Sequence, residues 1–273
     1  MASACEWVGN RVADATPLTG HTPLAPDGTV SSYVADGIAD VCFGHPKSNS
    51  LPSSVLRALA DEITAVGTRD DVRVITLRSY GAGAFCAGAS FTELSAIEDA
   101  ASGKTFFLGF ARVILAMTGC PKPIVTRVQG KVVGGGVGIV AASDYAIAVG
   151  QASLRLSELA IGIGPFVVGP VIERRVGTGA FEAMALDTEW RDARWAERHG
   201  LYATVVDDLG SLDGATNQFA ATLATMNPDA VSRIKQIAWA GTESWPRLLE
   251  ERAAMSGSLV LSEFARRAMT KQR

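Results

Sequence analysis

Histidine and cysteine are scarce in this chain. Three histidines (His21, His45, His199) and four cysteines (Cys5, Cys42, Cys86, Cys120) are scattered over 273 residues. No CxxC pair and no His/Cys cluster with metal-ligand spacing occurs, so neither a zinc site nor a disulfide framework is expected. The reading is a reduced, cytoplasmic protein. The stretch "MASACEWVGNRVADATPLTG" lacks the basic region and apolar core of a secretory signal. Long apolar runs are missing too: Val132 to Ala142, and even Leu159 to Ile172, the longest stretch free of polar side chains, fall short of the ~20 residues a membrane span needs. No basic stripe is present either. Lys and Arg total 25 against 28 Asp and Glu, a formal net charge of −3, which argues against nucleic acid as a partner.

What is present suffices for one sizeable core, with 48% hydrophobic residues. Residues 1–31 show no sustained periodicity and read as an extension or arm. Residues 32–209 alternate strand and helix signals. "SYVADGIADVCFG" reads as two strands around an Asp-Gly turn, and "SSVLRALADEITAVG" as an amphipathic helix. "VRVITLRS" reads as a buried strand. The unit recurs as "GKTFFLGFARVILAMTG" (helix), "PIVTRVQG" (strand), "GGVGIVAAS" (helix start) and "YAIAVG" (strand). Helices over "VVGPVIERRVG" and "GAFEAMALD" and a short strand at "TVVDD" complete it. From about residue 210 to 273 only helices are expected, including one over "PRLLEERAAMSGSLVLSEFARRAMT". The pattern means an α/β fold with a helical C-terminal region. The apolar content of that region (Trp239, Trp245, Leu248, Leu249, Leu259, Leu261, Phe264) suggests a homo-oligomer interface.

The most unusual stretch is "VQGKVVGGGVGIVAASD", Val128 to Asp144. It formally contains GxGxxA. A dinucleotide site would however need a carboxylate at the end of the next strand, and "YAIAVG" ends without one. A second segment shares its character: "SYGAGAFCAGASFTEL", Ser79 to Leu94, is again strand, small-residue turn and helix start. Unpaired N–H groups at two such turns, converging on one oxygen, would make an oxyanion hole, and small residues would let a carbonyl approach. Glycines that merely permit close helix–strand packing are the simpler alternative for either segment alone.

"FCAGAS" with "VQGKVVGGGVG" resembles the paired signature of the crotonase superfamily, the enoyl-CoA hydratase and isomerase family. "LSELAIGIGP" resembles its third motif, and "WAERHGLYATVVDD" and "NPDAVSRIKQ" its later segments. The resemblance covers roughly Ser32 to Met255. It implies a spiral of repeated ββα units assembled into trimers or hexamers. It also implies an acyl-CoA substrate handled through a thioester enolate, with no cofactor beyond the coenzyme A that the substrate carries. The N–H groups of Ala89 and Gly135 become the oxyanion donors, and Glu158 the acid/base.

Hydratases of the family usually place a second glutamate where this chain has Gly138. The departure favours one-base chemistry, such as double-bond isomerisation or another acyl-CoA lyase reaction; a non-catalytic acyl-CoA-binding protein is the alternative of another class. Glu93 is the candidate second acid. A glutamate restored at 138 is expected to promote hydration, provided that it fits. Ser90 stands where the family commonly has aspartate and should act as a helix cap. CoA is expected across "FGHPKSNSL", with Lys47 and Ser50 as contacts. Ala87, Ala89 and Phe91 would line its channel, and Ser90, Gly134, Gly135, Gly138 and Glu158 complete the substrate-binding set. Cys86 is expected to be a buried small hydrophobe, and Asp144 a cap or turn residue.

Overall fold

The computed structural model describes residues 24–270. Most of the expected N-terminal arm, residues 1–23, lies outside the described residues. The first strand, β1 (Thr29–Ala35), opens inside the segment assigned to that arm. It turns through Asp36 and Gly37, with φ of 51° and 77°, into β2 (Ile38–Gly44). Two consecutive left-handed residues are what a tight hairpin turn of this hand requires, and Asp-Gly supplies them cheaply. The remaining strands of this sheet are β3 (Val74–Ser79), β4 (Ile124–Val128), β6 (Tyr145–Val149) and β9 (Thr204–Val206). Their order is β1-β2-β3-β4-β6-β9; only the β1–β2 pair is antiparallel. Every residue of β3 and β4 is buried, as expected for parallel strands covered on both faces.

Helix α1 (Ser53–Gly67) packs on β1 and β2, burying Val55, Leu56, Leu59, Ile63 and Val66 along one face. The short α2 (Phe91–Ser95) precedes α3 (Ala100–Gly119), which is long and apolar enough to cross a membrane by length and composition. That apolar content is used inside the fold: α3 lies against α1 and the C-terminal helices. A small second sheet joins β5 (Val132–Val133), β7 (Ser153–Arg155) and β8 (Arg191–Asp192). Between β5 and β6 runs α4 (Gly135–Ala142), all of it buried. Then come α5 (Gly169–Val176), α6 (Thr178–Asp187) and α7 (Ala193–Arg198).

The C-terminal region is helical, as expected: α8 (Leu209–Ala224), α9 (Pro228–Ala238), α10 (Trp245–Leu259) and α11 (Glu263–Thr270). The single helix expected over residues 246–270 is two. Ser262 interrupts it, its hydroxyl accepting from the Ala265 N–H at 3.2 Å as an N-cap for α11. Trp239, Trp245 and Leu249 are buried within the chain itself, whereas Leu259 and Phe264 are exposed. Much of the apolar content read as an interface is therefore core.

The crossing of α10 over α3 depends on two glycines. A Cβ on Gly257 would stand 2.4 Å from the Lys104 nitrogen, and one on Gly103 would stand 2.8 Å from the Gly257 Cα. Backbone atoms cannot rotate away as side chains do, so Gly257→Ala must push the helices apart. The expected loss is about 1–3 kcal/mol or more, read as a lowered urea midpoint. An unchanged midpoint would mean that the crossing is looser than this geometry.

Candidate active site

A cavity of about 340 Å³ opens between the two glycine-rich turns, α3, the segment after β7 and α10. Its walls include Ala87, Ala89, Phe91, Gly134, Gly135 and Glu158. The two turns are tied directly to each other by a parallel bridge between Cys86 and Val132, with Val133 N–H donating to the Cys86 carbonyl at 2.9 Å.

The first turn is fixed from below. Leu51 N–H donates to the Gly88 carbonyl, and Ser90 N–H to the Leu51 carbonyl, at 2.8 and 3.0 Å. Groups alternate in direction along an extended chain, so the Ala89 N–H between them faces away from Leu51. Among the described residues it has no protein acceptor. Buried Asn49 secures the preceding loop: its amide donates to the Tyr80 and Ala84 carbonyls at 2.7 and 2.8 Å. Gln129 donates to Ser79 Oγ at 2.8 Å from the neighbouring strand end.

In the second turn Gly134 adopts φ 52°, ψ −118°, a conformation that side chains resist. Its N–H donates to the Arg155 carbonyl at 2.9 Å. Gly135 then opens α4, so its N–H has no acceptor in the preceding turn, and among the described residues none is found elsewhere. The glycines make room for different neighbours. A Cβ at Gly134 would lie 2.9 Å from Glu158 Oε1, at Gly135 2.1 Å from the Phe110 ring, and at Gly136 2.7 Å from Cys86 Cβ.

Glu158 follows β7 at the start of a short 3-10 turn, Leu159–Ile161. The residue is half-buried, but its Oε2 is out of solvent contact and has no hydrogen-bond partner. Burial pushes its carboxyl up to about 7, against weaker opposing hydrogen bonds from its own and the Ser157 backbone N–H groups. A carboxyl poised there can both accept and return a proton near neutral pH. Among the described residues it is the only carboxylate in the cavity wall.

The other expected site residues lie elsewhere. Glu93 is not in the cavity: its Oε2 accepts from Ser53 N–H at 2.8 Å and from Ser53 Oγ at 2.7 Å, securing the start of α1. Gly138 is buried behind the wall, and a Cβ there would meet Val168 Cγ1 at 2.5 Å and its Cβ at 2.7 Å. Val168 itself lines the cavity. A glutamate at 138 in an otherwise unchanged chain therefore has no room, so the condition that it fit is not met and the clash is the expected outcome. Ser90 caps α2 by accepting from Glu93 N–H at 3.4 Å. Ser50 is buried with its hydroxyl 3.2 Å from His45 Nδ1, and Lys47 Nζ donates to Thr92 Oγ1 at the surface; neither lines the cavity. Cys86 is fully buried and its thiol is pushed up to about 12 by that burial, as befits an inert thiol. Asp144 accepts from Ile124 N–H and Trp239 Nε1 and pairs with Lys235 at 2.7 Å, joining β4, β6 and α9. The sequence reading did not single out Arg155 or Phe110. Arg155 was signalled only by a charge inside the alternating stretch "LRLSEL".

Residues 34–270 match the enoyl-CoA hydratase/isomerase family, and the chain belongs to it. A "(7aS)-7a-methyl-1,5-dioxo-2,3,5,6,7,7a-hexahydro-1H-indene-carboxyl-CoA hydrolase" from Mycobacterium tuberculosis (strain ATCC 25618 / H37Rv) is 34% identical over 146 residues, 54% of each chain. A mitochondrial methylglutaconyl-CoA hydratase from Rattus norvegicus is 27% identical over 168 residues, 61% of this chain and 53% of the relative. The chain thus spans about half the length of these curated relatives. A solved enoyl-CoA hydratase from Bacillus halodurans superposes with a TM-score of 0.82 over 89% of this chain and 99% of that one, at 18% identity; this shows the fold, a crotonase-type α/β architecture with a helical C-terminal region.

Proposed function

We propose that the chain acts on an acyl-CoA thioester, holding its carbonyl oxygen with the N–H groups of Ala89 and Gly135 while Glu158 moves a proton at a neighbouring carbon. The observation that supports this is the cavity wall, which includes Ala89, Gly135 and Glu158; among the described residues the two backbone N–H groups have no protein acceptor and Glu158 Oε2 has no hydrogen-bond partner. Removing a proton beside a thioester leaves negative charge on its carbonyl oxygen. Fixed donors stabilise that charge without reorganising, each typically by about 2.7–4 kcal/mol. The family membership and the hydratase and hydrolase relatives support a CoA thioester as the substrate. Coenzyme A arrives as part of that substrate, and the proposed steps call on no separate cofactor or metal.

A single carboxyl in the cavity wall among the described residues favours reactions in which one group takes and returns the proton. Shifting a double bond between the 3,4 and 2,3 positions needs only that. Hydration must also hold and polarise a water, and Val168 fills the space through which a side chain at 138 would reach the cavity. The test is a parallel screen of 2-enoyl- and 3-enoyl-CoA thioesters with product identification. Efficient hydration without isomerisation would overturn the one-base reading; tight binding without turnover across a broad panel would make the chain a binding protein. A homotrimer or hexamer, and a cytoplasmic location, belong to the same proposal. Light scattering that showed a monomer at micromolar concentration would remove the first.

A further inference from the structure

We propose that Arg155 recognises an anionic group on the acyl portion of the substrate, so that the preferred thioesters carry a carboxylate at the end away from CoA. The inference rests on the acyl-CoA reading above. Arg155 and Ser157 stand two apart on extended chain and so share one face, and both line the cavity beside Glu158. The rest of that wall is largely apolar, from Phe107, Phe110, Ile163 and Val167 among others. Arg155 is half-buried, and its Nε is out of solvent contact and has no hydrogen-bond partner. Among the described residues Arg155 pairs with no carboxylate, Glu158 included. Its guanidinium instead lies 4.7 Å from the centre of the Trp190 ring, and Lys131 Nζ lies 5.3 Å from the same ring.

A half-buried guanidinium whose Nε–H is out of solvent and has no acceptor is incompletely satisfied. Its Nε–H needs an acceptor, and a carboxylate meets both the charge and the geometry. Lys131 adds positive charge at the same ring and supplies no acceptor. An internal Arg155–Glu158 pair would have met this need and left Glu158 ionised and engaged. The structure keeps the two apart, leaving the carboxyl free for proton transfer and the cation free for an incoming anion. The position, three residues from Glu158, places the anion with the acyl group, while Lys47 and the loop expected to meet CoA belong to another segment.

The experiment is calorimetric binding of saturated thioesters to the full chain, which needs no turnover. Succinyl- to pimeloyl-CoA are each compared with the neutral acyl-CoA of equal length and with CoA alone. The wild type should bind the best carboxylate-bearing thioester about tenfold to a hundredfold more tightly than its neutral counterpart. Arg155→Met should abolish that preference while leaving neutral acyl-CoA binding unchanged, and Arg155→Lys should retain part of it. A thermal melt of each variant shows whether it is folded. Equal affinities for both series in the wild type would overturn the inference and leave the acyl-CoA reading intact. So would an Arg155→Met variant that weakens CoA and neutral acyl-CoA as much as the charged series, since the contact would then be to a CoA phosphate. Failure of every thioester to bind would remove the acyl-CoA reading, and this inference with it.

Discussion

Glu158→Gln should lower turnover of the true substrate by about 10²–10⁴-fold, the usual contribution of a positioned acid/base, with the fold preserved. Glutamine keeps the shape that fits over Gly134, where Oε1 lies 2.9 Å from the point a Cβ would occupy. It cannot take a proton. Because Glu158 is the only carboxylate lining the cavity among the described residues and Glu93 is held by Ser53, none of these residues stands ready to substitute. Near-wild-type turnover in the variant would take Glu158 out of the mechanism.

The titration adds a second readout. With the carboxyl raised to about 7 by burial, a reaction that begins with the carboxylate as base should show kcat/KM rising tenfold per pH unit below about 7 and levelling above it. Glu158→Gln should lose that limb. The stability linkage has the opposite sense. A carboxyl whose folded value lies above its unfolded one binds its proton more tightly when folded, so its ionisation destabilises the fold as pH rises from about 4.5 through 7. Glu158→Gln should therefore gain stability relative to wild type over that window, and the two should run parallel below it. A wild-type kcat/KM that is flat from pH 5 to 8 would show that the proton-transfer group is another.

Much of this site is written in local sequence, and the part that is not has a physical reason. The Asp-Gly hairpin, the buried strand β3 and the α1 stripe follow from turn chemistry and periodicity. Ala89, Gly135 and Glu158 were found through motif order, which reports on family geometry and not on periodicity. Glu93 looked like a spare acid because it lies one turn into a helix near the first oxyanion segment. Its true partner, Ser53, is 40 residues away in sequence, and no local pattern encodes that pairing. The strands β5, β7 and β8 span only two or three residues each, shorter than the roughly four to eight residues over which alternation identifies a strand. Arg155 belongs to one of them, so no local pattern marks it as a residue of the cavity wall.

The pairing of Gly138 with Val168 leads to the second large effect. Gly138→Glu alone should fail to fold stably: its Cβ would sit 2.5–2.7 Å from two atoms of Val168, and the carboxylate beyond it would be buried without a partner. Overpacking of this kind costs about 1–3 kcal/mol, and an unpaired buried charge adds more. The compensating change follows from the same contacts. Val168→Ala would leave the Cβ at 2.7 Å in place, so only Val168→Gly removes both clashes, and the next atom, Ile114 Cδ1, is then at an ordinary 3.6 Å. Val168 now forms part of the cavity wall, so deleting its side chain opens a route from position 138 to the cavity. The double variant should thus recover stability relative to Gly138→Glu, read as a higher thermal midpoint. It should also raise hydration relative to isomerisation when 2-enoyl- and 3-enoyl-CoA are assayed in parallel, because a second carboxyl can hold the water that Glu158 alone cannot. A single Gly138→Glu variant as stable as wild type would show that Val168 does not fill this space. A folded double variant with an unchanged product ratio would show that the missing carboxylate is not what limits hydration.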